Sequence, residues 1–418
     1  MMPEIRLPIK TVNSLTPSQK FTVHLGQHKL NPMTFKLAES KLPNVGTTIF
    51  SVMSALAKKH SAINLAQGFP DFYCDPRLKT FVSHYMYKGY NQYAPMPGIP
   101  ELRNVLSAKF KKLYNAKVDP DSEITITAGA TQAIFTAISA FVKNGDEVIL
   151  VEPAYDCYGP AVELNGGIVV PYELQPPDYS IDWDKLSALI SPKTKMLILN
   201  NPHNPSGAVF EKKDMEALQS ILKNTSVILL SDEVYEHLIF DGKTHQSVLA
   251  YPEIYSRSIV TFSFGKTFHN TGWKMGYAVA PPQLMKEFRK VHQFNVFSVN
   301  TPMQYGLADY LSNPLNYIGL GDFYQERRDL FASEIEDTPF KAIPCKGTYF
   351  QLFDYSELSD LHDVDFAVEL TKKYGVATIP VSVFYTAKTD HKVVRFCFAK
   401  KPETLKLAGE KLRGVRRV

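Results

Sequence analysis

The chain has 418 residues, 44% of them hydrophobic and 21% charged, with a formal net charge of +4, proportions ordinary for a globular protein of two or three domains. No run of about 18 apolar residues occurs, which excludes a membrane-spanning helix. Residues 1–33 hold Arg6, Lys10, Lys20 and Lys29 against Glu4 alone, a local +3 that leaves the remainder near +1, so no electrostatic case exists for nucleic acid or an anionic membrane as partner.

Taken in chain order, the first forty residues lack clear periodicity, carry Pro3, Pro8, Pro17 and Pro32, and have no apolar core of the kind a secretory signal needs. They are expected to form a mobile arm (residues 1–40), with a transit peptide or initiation at Met33 as alternatives. From about residue 120, short β-branched runs alternate with helical patterns such as Asp214 to Lys223. The runs are Ile124–Thr127, Glu147–Val151, Gly167–Val170, Met196–Leu199, Val227–Leu230 and Ile259–Phe262. Continuous apolar strands separated by helices predict an α/β fold, a mainly parallel central sheet covered by helices on both faces. Beyond about residue 305 longer helical patterns precede the strand-like runs Gly347–Asp354 and Val393–Phe398. The expected organisation is a large domain at 79–305 and a smaller α+β domain at 306–418 completed by residues 41–78. Cys74, Cys157, Cys345 and Cys397 include no C-x-x-C pair, and no H-E-x-x-H motif occurs. Reduced thiols in a cytoplasmic protein are expected, and no metal site.

Ligands of open α/β sheets bind beyond the carboxyl ends of the strands, so the residues following each run carry the functional reading. After Ile124–Thr127 come Gly129, Ala130 and Thr131, which open a helix with Ile134, Ala137, Ile138 and Phe141 on its apolar face. Small residues there leave backbone N–H groups for an anion, although a tight βα turn reads the same way. After Met196–Leu199 comes "NNPHNPSG", an ordinary turn or a rigid mount for Asn204. After Val227–Leu230 comes Asp232, either a helix cap or a carboxylate that needs a cation. After Ile259–Phe262 comes "SFGKTFHNTGWKMGY", with Lys266 and, eight residues on, Lys274. An anion site, an Asn, an Asp and a Lys at four strand ends together suit one cofactor with a phosphate, an aromatic cation and an aldehyde, namely pyridoxal 5′-phosphate (PLP) held as a Schiff base on lysine.

The motifs "NPHNPSG", "SDEVYEHL", "SFGKTFHNTGWKMGY" and "VVRFCFAK", in that order, resemble the fold-type I PLP-dependent aminotransferases of class I/II. The stretches "KLPNVGTTIF", "INLAQGFPDF", "NQYAPMPGIPELR", "VHQFNVFSVNTP" and "CKGTYFQLFDYS" are most similar to the kynurenine/glutamine-transaminase branch and its bacterial methionine aminotransferases. The resemblance runs from about residue 41 to the C-terminus. It implies that Lys266 binds the cofactor covalently and then moves the Cα proton, that Asp232 pairs with the pyridine nitrogen, and that Tyr235 and Asn204 bond the phenolic oxygen. It implies further that Tyr155 stacks on the ring, and that Gly129, Ala130, Thr131, Ser263 and Lys274 hold the phosphate. Many relatives carry arginine at the position of Lys274; lysine brings a point charge and no fork. Arg395 and a Gly68 N–H would take the substrate carboxylate, and Asn204 would adjoin the substrate too. Tyr93 (toward phosphate) and Phe297 (toward substrate) would reach into the site of a second subunit, making the enzyme a homodimer with shared sites.

The stretch Val291 to Tyr305 contains Phe294 and Phe297 and no Lys or Arg, so a side-chain carboxylate would be unpaired there. Neutral amino donors are expected: methionine first, then aromatic amino acids, histidine, glutamine or kynurenine, with a 2-oxo acid acceptor in a ping-pong cycle through the pyridoxamine form. A cysteine-conjugate β-lyase on the same scaffold is the alternative. A sensor domain of a transcription regulator would need a DNA-binding domain for which the arm lacks both length and pattern.

Overall fold

The structure, a computed structural model, describes residues 39–416; the expected arm, except its last two residues, and Met33 lie outside them. Seven strands form the central sheet: β1 (Ile124–Thr127), β2 (Glu147–Glu152), β3 (Ile168–Glu173), β4 (Thr194–Asn200), β5 (Ile228–Asp232), β6 (Ser258–Ser263) and β7 (Gly276–Val279). Their order is β1-β7-β6-β5-β4-β2-β3. Strands β2 to β6 pair in parallel, while β7 runs antiparallel to both β1 and β6. The sheet is thus mainly parallel, as expected, with antiparallel pairing confined to β7. β7 escapes a hydropathy reading because it is four residues long and begins at a glycine.

The inner strands β2, β4, β5 and β6 read as apolar runs because both faces are covered, whereas the edge strand β3 is only partly buried. Leu197 and Leu199 of β4 join one core with Ile149 and Val151 of β2, while Met196 and Ile198 join the other with Val148 and Leu150. The first core is roofed by helices including Pro100–Tyr114 and Lys212–Leu222, through Leu102, Leu106, Phe110, Met215 and Leu218. The second is roofed by Ala130–Phe141 and Pro282–Asn295, through Ala133, Ala137, Met285 and Phe288.

A second, antiparallel sheet contains β8 (Lys341–Ala342), β9 (Phe350–Asp354), β10 (Ile379–Pro380) and β11 (Val393–Cys397), in the order β10-β11-β9-β8. Its core holds Phe353, Phe396, Phe331 and Leu405. Strand β9 starts at Phe350, three residues later than the run suggests, because Thr348 adopts φ 68° and interrupts extended backbone. The early segment joins this part of the molecule. Ile63–Asn64 pairs in parallel with Val376–Ala377, and Cys397 N–H donates to Leu65 O at 2.8 Å. Among the described residues no helix is long and apolar enough to cross a membrane.

Candidate active site

The strand order reverses between β2, which sends the chain outward to β3, and β4, which sends it back toward β5; ligand clefts of open α/β sheets lie at such points. A cavity of about 260 Å³ sits there. Asn200 and Asp232, the last residues of β4 and β5, are register partners, and Asn200 Nδ2 donates to Asp232 O at 2.8 Å. Asn200 Oδ1 in turn accepts from the Asn204 N–H at 2.7 Å, which sets the position of that loop. The Asp232 carboxylate accepts from Tyr158 OH at 2.6 Å, Val234 N–H at 3.3 Å and Thr261 Oγ1 at 3.4 Å. Burial raises its carboxyl to about 6, against the lowering effect of those donors and of the Lys266 charge. Among the described residues it has no ion-pair partner. A buried carboxylate in this state is prepared for a cation.

The helix Ala130–Phe141 begins at the cavity wall with Gly129 as N-cap, at φ 82° and with no side chain to satisfy the first N–H groups. Lys274 lies against Gly129: its Nζ is 3.5 Å from where a Cβ would stand. Ser263, Ala130 and Thr131 line the same wall. An ammonium, a hydroxyl and open backbone donors at a helix N-terminus together make an anion cradle.

Lys266 follows β6 by three residues. Its Nζ donates to Tyr349 OH at 2.7 Å and lies 3.3 Å from Gly68 O. Burial is the main cause that brings the amine down to about 8; Arg395 and Lys274 push the same way, while Cys397 and Asp232 push back. Arg395, on the middle of β11, is 1% exposed. Its Nη1 donates to Asn204 Oδ1 at 3.0 Å and its Nη2 to Ala66 O at 3.1 Å. Its Cζ lies 3.9 Å from the Phe350 ring centroid, and Nε has no partner among the described residues. Burial lowers its guanidinium to about 10. No carboxylate pairs with it among the described residues, so one donor edge is left for an incoming anion.

Thus Gly68, Gly129, Ala130, Thr131, Tyr155, Asn204, Asp232, Tyr235, Ser263, Lys266, Lys274 and Arg395 all line one cavity. Tyr93 and Phe297 do not: they pack edge-to-face on each other with centroids 5.4 Å apart and are 83% and 45% exposed. Sequence reasoning missed Tyr158, the donor to Asp232, and Tyr349, the partner of Lys266. Tyr158 carried a signal, three residues after Tyr155 at a helix start; Tyr349 lay inside a run read only as strand. Chemically, the arrangement offers an amine near neutrality, a cation site, a phosphate-sized anion cradle and a second anion clamp.

Residues 60–412 match the family described as Aminotransferase class I and II. The chain is 50% identical over 384 residues to a methionine aminotransferase of Escherichia coli strain K12, an alignment covering 92% of this chain and 99% of that protein. It is 33% identical over 418 residues to kynurenine–oxoglutarate transaminase 1 of Rattus norvegicus, covering 91% and 98%. A solved structure from Escherichia coli, reported to have a methionine aminotransferase function, matches with a TM-score of 0.89 at 50% identity over 90% of this chain and 99% of that one. The architecture is the type I fold of PLP-dependent transferases. The chain belongs to the class I and II aminotransferases, and its activity is amino-acid transamination.

Proposed function

We propose that this enzyme uses PLP to transfer the α-amino group of a neutral L-amino acid, methionine foremost, to a 2-oxo acid in a ping-pong cycle. Aromatic amino acids, histidine, glutamine and kynurenine are the further donors of this reading. The observation that carries it is a single cavity holding a lysine amine and, with no ion-pair partner among the described residues, a buried carboxylate and a buried guanidinium. PLP fits these vacant charges: Asp232 would face its ring nitrogen, and Lys274, Ser263 and the Gly129–Thr131 turn would hold its phosphate. Tyr155 would lie on a ring face, and Asn204 and Tyr235 would bond its phenolic oxygen. When bound, PLP supplies an electron sink that makes the Cα–H of an attached amino acid acidic.

The chain's own groups do the rest. Arg395, steadied by Asn204 and Ala66 O, binds the substrate carboxylate and orients Cα. Lys266, brought near neutrality by its surroundings, takes the Cα proton and returns it. Phe50, Phe69 and Phe350 line the cavity, and their apolar surface favours a side chain such as that of methionine while discriminating only modestly among neutral donors. The 50% identity to a methionine aminotransferase supports the same preference. Nothing in the cavity's residues or in those relatives favours β-elimination over transamination. The reading includes a homodimer, supported by the exposed Tyr93–Phe297 pair, and a reducing cytoplasmic setting, supported by four free cysteines.

The test is the visible absorption of the purified enzyme against a panel of amino acids. Its cofactor band should bleach with methionine faster than with aspartate, and Lys266→Ala should abolish turnover. Protein that is colourless and takes up no added PLP, or a Lys266→Ala enzyme that still turns over, would falsify the assignment.

A further inference from the structure

Tyr349 is completely buried. Its ring is wedged among Phe350, Tyr235 and Tyr324, with centroids 4.8, 5.2 and 5.8 Å away, which leaves the phenol little room to swing. Its hydroxyl donates to Gly68 O at 2.6 Å and accepts from Lys266 Nζ at 2.7 Å. A phenol has one proton. With that proton committed to the Gly68 carbonyl, only lone pairs face Lys266, so the amine must be the donor of their bond. Its own lone pair, when neutral, is left free of Tyr349.

The backbone before the ring is jammed into this aim. Thr348 holds φ 68°, a strained conformation for a β-branched residue of the kind stored at functional sites. A Cβ on Gly347 would meet Leu238 O and Pro202 Cβ at 2.9 Å and Val209 Cγ2 at 2.8 Å, so the turn can neither relax nor fill. The segment that receives the Tyr349 proton also receives Arg395 at Ala66 O, which ties the amine to the substrate clamp through two residues of chain.

We infer that Tyr349 is a positioning residue: its hydroxyl, locked by the Gly68 carbonyl, holds the Lys266 amine with the nitrogen lone pair turned into the cavity. The inference rests on Lys266 as the base of the reaction proposed above. When the neutral amine takes the substrate Cα proton, the C–H electron pair stays with the substrate. The new ammonium then has Tyr349 O and Gly68 O as its acceptors.

Tyr349→Phe keeps the ring and removes the hydroxyl; Asp232, Arg395, Cys397 and Lys274, the charged or titratable groups that also act on Lys266, stay in place. The test measures kcat and KM of the holoenzyme against pH, with melting temperature and cofactor absorbance as controls for fold and loading. A fall in kcat of about tenfold to a hundredfold is expected from the misaimed amine, with KM changed by less than about twofold. The acid limb of the kcat profile should move to lower pH by about half a unit or more, because the ammonium loses an acceptor. A profile superimposable on wild type, or a fall in kcat with no movement of that limb, would overturn the inference. Should Tyr349→Phe not fold, Gly347→Ala, whose Cβ would meet Val209 Cγ2 at 2.8 Å and Leu238 O at 2.9 Å and so push the ring off its aim, decides: the same fall and limb movement, smaller in size, support it, and wild-type behaviour refutes it. Lys266→Ala run alongside separates the two questions, since retained turnover there defeats the proposed function itself.

Discussion

Asp232 and Arg395 are each buried with hydrogen bonds but, among the described residues, without a counter-charge. This costs stability in the empty enzyme, because a lone buried charge is only partly compensated by neutral donors or acceptors. For Asp232 the sign is definite. Its folded carboxyl titrates near 6, above the ordinary 3.8, so stability present at acid pH is lost as the pH rises through that interval. Cofactor-free Asp232→Asn protein should therefore resist urea better than cofactor-free wild type at pH 8, by about 1–3 kcal/mol. The gap should close toward pH 4, and an unchanged gap there would show that the carboxylate is not its source. The same variant should lose activity by about a hundredfold or more in the loaded enzyme. Arg395→Lys keeps the charge and loses the fork. KM for every amino donor should rise about tenfold to a hundredfold, with cofactor loading unaltered. An unchanged KM would mean that the substrate carboxylate binds elsewhere.

The anion cradle is an assembly of elements: the start of the helix Ala130–Phe141, Lys274 two residues before β7, and the end of β6. Gly276, the first residue of β7, lets them meet. A Cβ there would stand 2.7 Å from Phe262 O and 2.9 Å from both Ala130 N and Gly129 C, all backbone atoms that cannot step aside. Gly276→Ala should lower stability by about 1–3 kcal/mol in thermal melts and release the cofactor on gel filtration; full retention of both would remove β7 as the cradle's support. This dependence was invisible beforehand, since a four-residue strand opened by glycine has no hydropathic signature. By contrast, β2, β4, β5 and β6 were legible as apolar runs because helices bury both their faces. Asp232 and Lys266 were legible because each stands at a fixed short spacing from such a run. Tyr158 and Tyr349 were not, because their partners lie 74 and 83 residues away and only the closed fold makes those pairs.

At the scale of the molecule, Tyr93 and Phe297 stay at the surface although the resemblance places Tyr93 toward the phosphate and Phe297 toward the substrate, which is the arrangement expected if that site belongs to a second copy. Sedimentation at micromolar concentration should give twice the chain mass. Phe297→Asp should weaken association and activity together, whereas a fully active single chain would end the shared-site reading. The smaller sheet shows why tertiary arrangement outran the sequence. Its strands β8 and β10 are two residues each, and the Ile63–Asn64 pairing with Val376–Ala377 joins segments 313 residues apart (376 − 63).

That long-range pairing has a consequence for biosynthesis. Ala66 O and Gly68 O, which accept from Arg395 and from Lys266, belong to a segment made well before β11, yet their mounting in the fold waits for that strand. A nascent chain still tethered to the ribosome short of β11 could fold its large sheet and still lack a working catalyst, so enzymatic competence waits until β11 has been made.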